Sequence, residues 1–233
     1  MQLQVLFEDN HLIAVNKPVG YLVHGDETGD TPLTDFVKDY IAFRYKKPGA
    51  VYLGVIHRLD RPASGIVLFA RTSKGLTRMN DIFKRRKVEK TYWAITAKRP
   101  DPLEGELTHF IGKDREKNQA KAFSRMSNQA KEMQAKKARL SYRMVGEIDS
   151  RTLLEISLET GRPHQIRAQL SSIGCAIVGD VKYGYPNPDP DGGIHLHARS
   201  ISFEHPVKKE AVTITADPPD ELLWNKFAAL MEV

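Results

Sequence analysis

A single cysteine, Cys175, in a chain of 233 residues excludes an intrachain disulfide and any thiolate metal cluster, and it fits a reducing cytoplasm. Lying in the apolar stretch IGCAIVG, it reads as a small buried packing residue. Long hydrophobic runs are missing too. The longest, such as Ile66 to Ala70, are of strand length, far short of the ~18 residues that span a bilayer, so no membrane-spanning segment and no membrane partner are expected. The start, MQLQVLFEDNHLIAV, has no charged region followed by an apolar stretch and a small-residue cleavage site, which argues against a secretory leader. Aromatic residues make up only 8%, but hydrophobic residues reach 41% and charged residues 27%, which excludes wholesale disorder. The length suits one catalytic domain spanning 1–233, with a sizeable core and no appended module.

Several familiar site motifs are absent. There is no Gly-x-x-x-x-Gly-Lys-Ser/Thr loop, no Gly-x-Gly-x-x-Gly, no Gly-x-Ser-x-Gly and no His-Glu-x-x-His. Nucleotide hydrolysis, hydride transfer and the common serine and zinc hydrolases therefore lose their support. His195 and His197 would share one strand face, but no acidic or thiolate partner adjoins them in sequence, so no metal site is expected.

What the chain does have is regional basicity. The net charge is +6, yet Lys113 to Arg143 alone contains ten Lys or Arg against three Asp or Glu, leaving the remainder slightly acidic. A second basic run, Lys84, Arg85, Arg86, Lys87 and Lys90, faces only Glu89. Such clustering is the footprint of a polyanion-binding protein, because each cation placed on a phosphate releases counterions; a merely solvated surface would look the same on charge alone.

Periodicity predicts strands at Gln2 to Phe7 and His11 to Asn16 around the turn Glu8, Asp9, Asn10, with NKPVG breaking the pattern. Thr31 or Thr34 is expected to cap a helix through Asp35, Val37, Tyr40, Ile41 and Arg44. Val51 to Ile56 and Gly65 to Ala70 read as buried strands flanking the charged loop HRLDRPAS, followed by a helix at Ser73 to Lys84 and a strand at Thr91 to Ala97. Leu140 to Ile148 and Thr152 to Leu158 form a strand pair. His164 to Ile173 has helical spacing, Ile194 to Phe203 and Ala211 to Ala216 are strands, and Pro219 to Met231 is a last helix. Asn118 to Leu140 is ambiguous: Phe123, Met126, Ala130 and Met133 share a helical face, while its start equally fits an edge strand. The alternation predicts an α+β chain dominated by hairpins and not by βαβ units.

Three segments can carry chemistry. GVIHRLDRPASGIVLFAR confines His57, Arg58, Asp60 and Arg61 to one short loop between apolar strands. A carboxylate among cations stays ionised, which suits a nucleophile or base needing no metal, although a salt-bridged connecting loop has the same residues. LEISLETGRPHQIRAQL leads a strand into a Thr-Gly-Arg turn and opens a helix with His164, Gln165 and Arg167, an arrangement that makes either an anion site or ordinary helix capping. Lys90-Thr91-Tyr92 sets a phenol at the start of a strand just after the basic run.

Together with EDNHLIAVNKPVG, VEKTYWA and the stretch LEISLETGRPHQIRAQLSSIGCAIVGDVKYG, these segments resemble the RluA family of pseudouridine synthases over nearly the whole chain. The pairing of HRLD and SG with TGRPHQIR about 100 residues later is highly specific. The resemblance implies the pseudouridine synthase fold, an α+β fold with a mixed, mainly antiparallel bent sheet flanked by helices and loops. It also implies isomerisation of uridine in RNA without cofactor or metal. By position in the motifs, Asp60 matches the family's catalytic aspartate and Tyr92 the tyrosine that stacks on the target base and is a candidate for removing the C5 proton. Arg167 matches the arginine pairing with that aspartate, and Arg58 one that is inserted where the flipped nucleotide lay. His57, Arg61, Lys90, Arg162, His164 and Gln165 are the accompanying candidates for RNA contact.

Many relatives carry a small N-terminal RNA-binding module ahead of the strand matching Gln2 to Phe7, whereas this sequence begins there. Family members of that layout act on transfer RNA, on large-subunit ribosomal RNA, or on both, so the expectation is a monomeric enzyme acting on tRNA and/or rRNA. The competing readings are a non-catalytic RNA-binding or RNA-chaperone protein on the same fold, opposed by the intact Asp60, Tyr92 and Arg167, and a metal-dependent RNA hydrolase.

Overall fold

The structure, a computed structural model, describes residues 3–231 apart from Thr28 and Arg115. Gln2 of the first expected strand and Arg115 of the basic segment lie outside the described residues. In chain order the elements are β1 (Gln4–Glu8), β2 (Leu12–Lys17), α1 (Leu33–Arg44), β3 (Gly54–Val55), β4 (Ser64–Ala70), α2 (Ser73–Lys84), β5 (Val88–Thr96), β6 (Glu104–Asp114), β7 (Gln119–Phe123), α3 (Asn128–Glu132), β8 (Lys136–Ile148), β9 (Arg151–Leu158), α4 (Gln165–Ser172), a 3-10 turn (Val181–Tyr183), β10 (Leu196–Glu204), β11 (Ala211–Thr215) and α5 (Leu222–Met231). No helix among the described residues is long and apolar enough to cross a membrane.

The chain divides into two compact units, the first comprising Met1–Glu89 with Ala198–Pro218 and the second Lys90–His197 with Pro219–Val233. In the first, β1 and β2 form a hairpin, β2 pairs antiparallel with β4, and β10 follows β4 and pairs with β11. Every residue of β4, SGIVLFA, is buried, as befits a central strand covered on both faces. One face packs Ile66 and Leu68 with Leu12, Met79 and Ile201, and Ile82 and Phe83 of α2 close over it. The other packs Val67 and Phe69 with Ile13, Val15 and the α1 residues Leu33, Val37 and Ile41. The two helices thus cover opposite sides of one strand, each through the apolar stripe its spacing creates.

The second unit is an antiparallel meander in the order β5-β9-β8-β6-β7. Ile95, Leu153, Val178, Trp224 and Phe227 make one core and Ile111, Ala120, Ala138, Ala168 and Tyr183 another.

Hairpin-dominated α+β architecture is therefore what the sequence predicts, with four local differences. Neither Thr31 nor Thr34 caps α1: Pro32 takes the cap position with no side-chain hydrogen bond, and Thr34 is buried inside the helix. Proline presets its own φ and needs no donor there, and the backbone N–H groups of Leu33 and Thr34 instead donate to the carbonyls of Leu22 and Val23 at 2.8 and 3.2 Å. The expected strand Val51 to Ile56 shrinks to Gly54 and Val55. The segment Asn118 to Leu140 is both readings in turn: β7 is an edge strand, α3 a five-residue helix capped by Ser127, and β8 begins at Lys136. Finally, β6 has no counterpart among the expected strands, because its sequence EGELTHFIGKD alternates too weakly to announce itself; pairing with β7 and β8 makes it a strand.

Candidate functional site

In the first unit the loop from Ile56 to Ala63 leaves β3 and enters β4. Its two ends are fixed differently. His57 turns inward: its Nε2 accepts the backbone N–H of Leu68 at 3.1 Å, and its ring stacks on Phe83 at 5.5 Å. Arg58 is exposed, and Asp60 is half-buried with its backbone carbonyl accepting from Ala63 N–H at 3.1 Å. Arg61 ties the loop to the NKPVG turn, its Nε donating to the Gly20 carbonyl at 2.9 Å and its Nη2 pairing with Asp30 at 2.7 Å. In return, Gly20 N–H donates to the Arg61 carbonyl at 3.0 Å.

Beneath this junction lies Lys17, with no exposed surface. Its Nζ donates to the carbonyls of Pro18, Tyr21 and Arg61 at 3.0, 2.9 and 3.0 Å, one for each ammonium proton. Burial lowers its pKa from 10.5 to about 7, the Asp60 carboxylate acts in the opposite sense, and Arg61 adds to the lowering. Lys17 thus stitches two loops together and places a cation within the field of Asp60. Sequence reading missed it, since NKPVG looks like a simple break; a lysine two residues past the apolar run LIAV, and so on the same strand face as Val15, is the signal that was available.

Gly65, the glycine of the SG that follows HRLDRPA, has φ +112°, and a Cβ there would collide with the backbone of Ala198 in β10. Only glycine lets β10 approach β4 at this level. The glycine of the motif is therefore explained by backbone packing directly after the loop that carries Asp60.

In the second unit, Lys90 and Tyr92 stand near the start of β5. Tyr92 is 9% exposed and opposes Ile156 across the β5–β9 ladder. Lys90 approaches the Thr-Gly-Arg turn closely enough that a Cβ on Gly161 would sit 3.7 Å from its Nζ, and burial lowers its pKa.

The turn itself is shaped by Gln165. That buried side chain accepts from Thr160 Oγ1 at 2.8 Å and from Arg162 N–H at 3.0 Å, and donates to the Arg139 carbonyl at 3.0 Å. Arg162 is half-buried, its Nε directed to the Lys137 carbonyl at 3.3 Å. A groove of about 670 Å³ opens beside it, lined by Lys113, Asp114, Glu132, Met133, Lys136 and Arg162 among others.

His164 precedes α4 in the left-handed conformation, φ +51°, and its Nδ1 meets Tyr183 Oη at 2.8 Å. The same hydroxyl accepts the N–H of Ala120 in β7 at 2.7 Å. Arg167, 5% exposed, is gripped by Asp180 in a two-pronged pair, Nε to Oδ2 at 2.7 Å and Nη2 to Oδ1 at 2.8 Å, with its guanidinium 4.8 Å from the centre of the Tyr183 ring. Asp180 and Tyr183 lie in GDVKYG, a stretch whose side chains carried no role in the sequence reading; only folding brings them under α4. His195 and His197 face Trp224, and both ring nitrogens of His195 meet carboxylates, Asp189 and Glu221, at 2.9 Å. Cys175 is 2% exposed, and burial raises its pKa.

Each unit thus gathers one set of candidates: His57, Arg58, Asp60 and Arg61 around Lys17 in the first, and Lys90, Tyr92, Arg162, His164, Gln165 and Arg167 around the Thr-Gly-Arg turn and its Asp180–Tyr183 support in the second. One offers a half-buried carboxylate in the field of a buried lysine, the other an aromatic side chain and a fixed guanidinium.

The family model described as RNA pseudouridylate synthase matches residues 11–172. Among curated proteins, the tRNA pseudouridine synthase C of Haemophilus ducreyi is 32% identical, over 97% of this chain and 96% of that protein. The ribosomal large subunit pseudouridine synthase D of Zymomonas mobilis is 29% identical, over 94% of this chain and 70% of that protein. Among solved structures, human RNA Pseudouridylate Synthase Domain Containing 4 shares the fold, with a TM-score of 0.77 over 96% of this chain and 92% of that one at 24% identity.

Proposed function

The chain belongs to the RNA pseudouridylate synthase family, in its RluA branch, and is accordingly an isomerase; from that premise we propose that it converts uridine to pseudouridine in transfer RNA or large-subunit ribosomal RNA with Asp60 as its catalytic carboxylate. The observation that carries the assignment is the Asp60 loop. A buried ammonium and a reciprocal hydrogen-bonded pair fasten it to the NKPVG turn, in a stretch inside the family match.

In the proposed reaction the bond from ribose C1′ to uracil N1 breaks, the base turns, C5 bonds to C1′, C5 loses its proton and N1 gains one. Atoms and electrons balance without an oxidant or metal. A stacked uridine hides its glycosidic bond, so the nucleotide leaves the stack at a cost of a few kcal/mol. The exposed Arg58 is suited to fill the vacated space. Tyr92 supplies an aromatic platform for the turning base, and Arg167 the cation that the resemblance assigns to the aspartate. Arg61, Lys90, Arg162 and His164 serve RNA contact, while the amide of Gln165 shapes the turn that presents Arg162.

Release of tritium from C5 of labelled uridine in RNA reads the reaction directly. Wild type is expected to release it and Asp60→Asn to release none while still binding RNA; release by Asp60→Asn at the wild-type rate would remove Asp60 from the mechanism. Tyr92→Phe, which keeps the ring, is expected to retain RNA binding and lose turnover, and full turnover would refute a proton-transfer role for its hydroxyl. Base-resolved mapping of total tRNA and rRNA from cells with and without the gene identifies the target uridine.

A further inference from the structure

The C-terminal end of α1 presents a feature that folding does not require. Phe43 is 89% exposed, and Tyr45 is 44% exposed. Between and after them stand Arg44, Lys46 and Lys47, all exposed, so that FRYKK interleaves two aromatic residues with three cations.

Cations at a helix C-terminus are accounted for by the helix dipole, and a solitary exposed apolar side chain is ordinary. Neither accounts for this arrangement, which is built. The Arg71 guanidinium lies 4.4 Å from the centre of the Tyr45 ring, and Arg71 is itself 3.1 Å from Glu8. The second Glu8 oxygen accepts from Tyr40 Oη at 3.0 Å and faces Arg44 Nε at 3.5 Å. One nearly buried carboxylate therefore holds the surrounding groups in place, and its own charge is matched by two arginines. Two lysines remain in the loop after the helix, at a turn closed by Lys46 N–H and Lys47 N–H donating to the carbonyls of Phe43 and Ala42.

Lys46 and Lys47 meet no carboxylate among the described residues, and exposed aromatic rings beside such cations are what single-stranded nucleic acid recognises: bases stack on the rings and phosphates meet the lysines. We propose that this end of α1, from Phe43 to Lys47, is a stacking platform that grips substrate RNA away from the target uridine. The proposal rests on the reading that the substrate is RNA.

Its position sets the reach. Asp60 lies at the Ser64 end of β4, whereas Arg71 and the Tyr45 ring stacked on it lie just past Ala70, the other end. Seven residues at about 3.3 Å each separate the two by roughly 20 Å, or about six nucleotides at a stacked spacing of about 3.4 Å. Short RNA centred on the target cannot reach the platform; longer RNA can.

The test compares wild type, Phe43→Ala and the double variant Lys46→Ser/Lys47→Ser for binding of oligouridylates of about 20 and about five nucleotides by fluorescence anisotropy, with thermal melting as the folding control. Phe43→Ala is expected to melt as wild type does, to weaken binding of the long RNA about fivefold or more, and to leave the short RNA unaffected. The lysine variant is expected to lower the salt slope for the long RNA by about one to two. On the RNA identified by mapping, Phe43→Ala is expected to raise KM with kcat unchanged. Equal affinity of wild type and Phe43→Ala for the long RNA overturns the proposal, as does an equal loss on both lengths. Unchanged RNA binding with a changed sedimentation coefficient assigns the patch to a second copy of the chain instead. Absence of tritium release from every RNA class would fail the isomerase assignment, while the length-dependent binding would still decide the platform.

Discussion

Asp180 holds Arg167 from below through two hydrogen bonds of 2.7 and 2.8 Å in a site where neither side chain exposes more than 5% of its surface. A guanidinium gripped through Nε and one Nη has its plane fixed, and the Tyr183 ring beneath it removes the remaining freedom. Asp180 is thus a positioning residue for the arginine of HQIR.

Replacing Asp180 by Ala removes the two-pronged carboxylate partner of a buried cation and is expected to lower stability by about 3–5 kcal/mol. Asp180→Asn retains the shape and is the informative variant: kcat for tritium release should fall about tenfold or more while KM stays within about twofold, because a mispositioned charge affects the transition state more than RNA binding. A wild-type kcat in a folded Asp180→Asn protein would reduce the pair to a structural one.

Lys17 makes stability depend on pH in a direction opposite to a surface lysine. Its pKa is about 7 in the folded chain and 10.5 when unfolded, so between those values the unfolded state binds the extra proton. The slope of stability with pH is therefore positive: this contribution is fully present above about pH 10.5 and is lost as pH falls through about 7. Denaturant unfolding of wild type and Lys17→Met between pH 6.5 and 10 should show the difference in their stabilities growing with pH. Parallel curves would mean that the ammonium is not desolvated as its burial implies. Lys17→Met is also expected to be the less stable protein at alkaline pH, since the neutral amine still donates its two N–H groups among the carbonyls of Pro18, Tyr21 and Arg61 and methionine donates none.

Gly65→Ala should be among the most damaging single substitutions in the first unit. The added Cβ meets the Ala198 backbone, which cannot yield without separating β4 from β10, and the positive φ adds strain. Loss of soluble protein, or destabilisation of about 3 kcal/mol or more by denaturant titration, is expected. A stability within about 0.5 kcal/mol of wild type would contradict the close approach of the two strands.

Lys131, Lys136 and Lys137 are exposed on α3 and the start of β8, and the Lys137 carbonyl holds Arg162. Changing all three to Ser should weaken RNA binding and reduce its salt slope by about two to three. An unchanged slope in a folded variant would remove this face from the RNA contact.

Local sequence was enough to establish the chemistry on offer and most of the elements. HRLDRPASG and TGRPHQIR are contiguous, so their residue types and spacing are visible without a fold. The runs in α2, β8 and β9 carry periods because each buries a defined face, β4 is a continuous apolar run because both its faces are covered, and α2 is capped by Thr72, whose hydroxyl accepts Gly75 N–H at 3.1 Å. Short or weakly alternating segments depend on partners. The five residues of α3 are too few to hold a helix alone, and β6 is a strand because it lies between β7 and β8, while β7 is one because it pairs with β6.

The supports of the candidate residues were likewise invisible along the chain. Lys17 reaches Arg61 across 44 residues, and Tyr183 reaches Ala120 across 63, distances over which no periodicity carries information. Residue identity specifies which groups can ionise, stack or donate. Burial, which moves the Lys17 pKa and makes the Arg167–Asp180 pair costly to break, arises only when distant segments exclude water together.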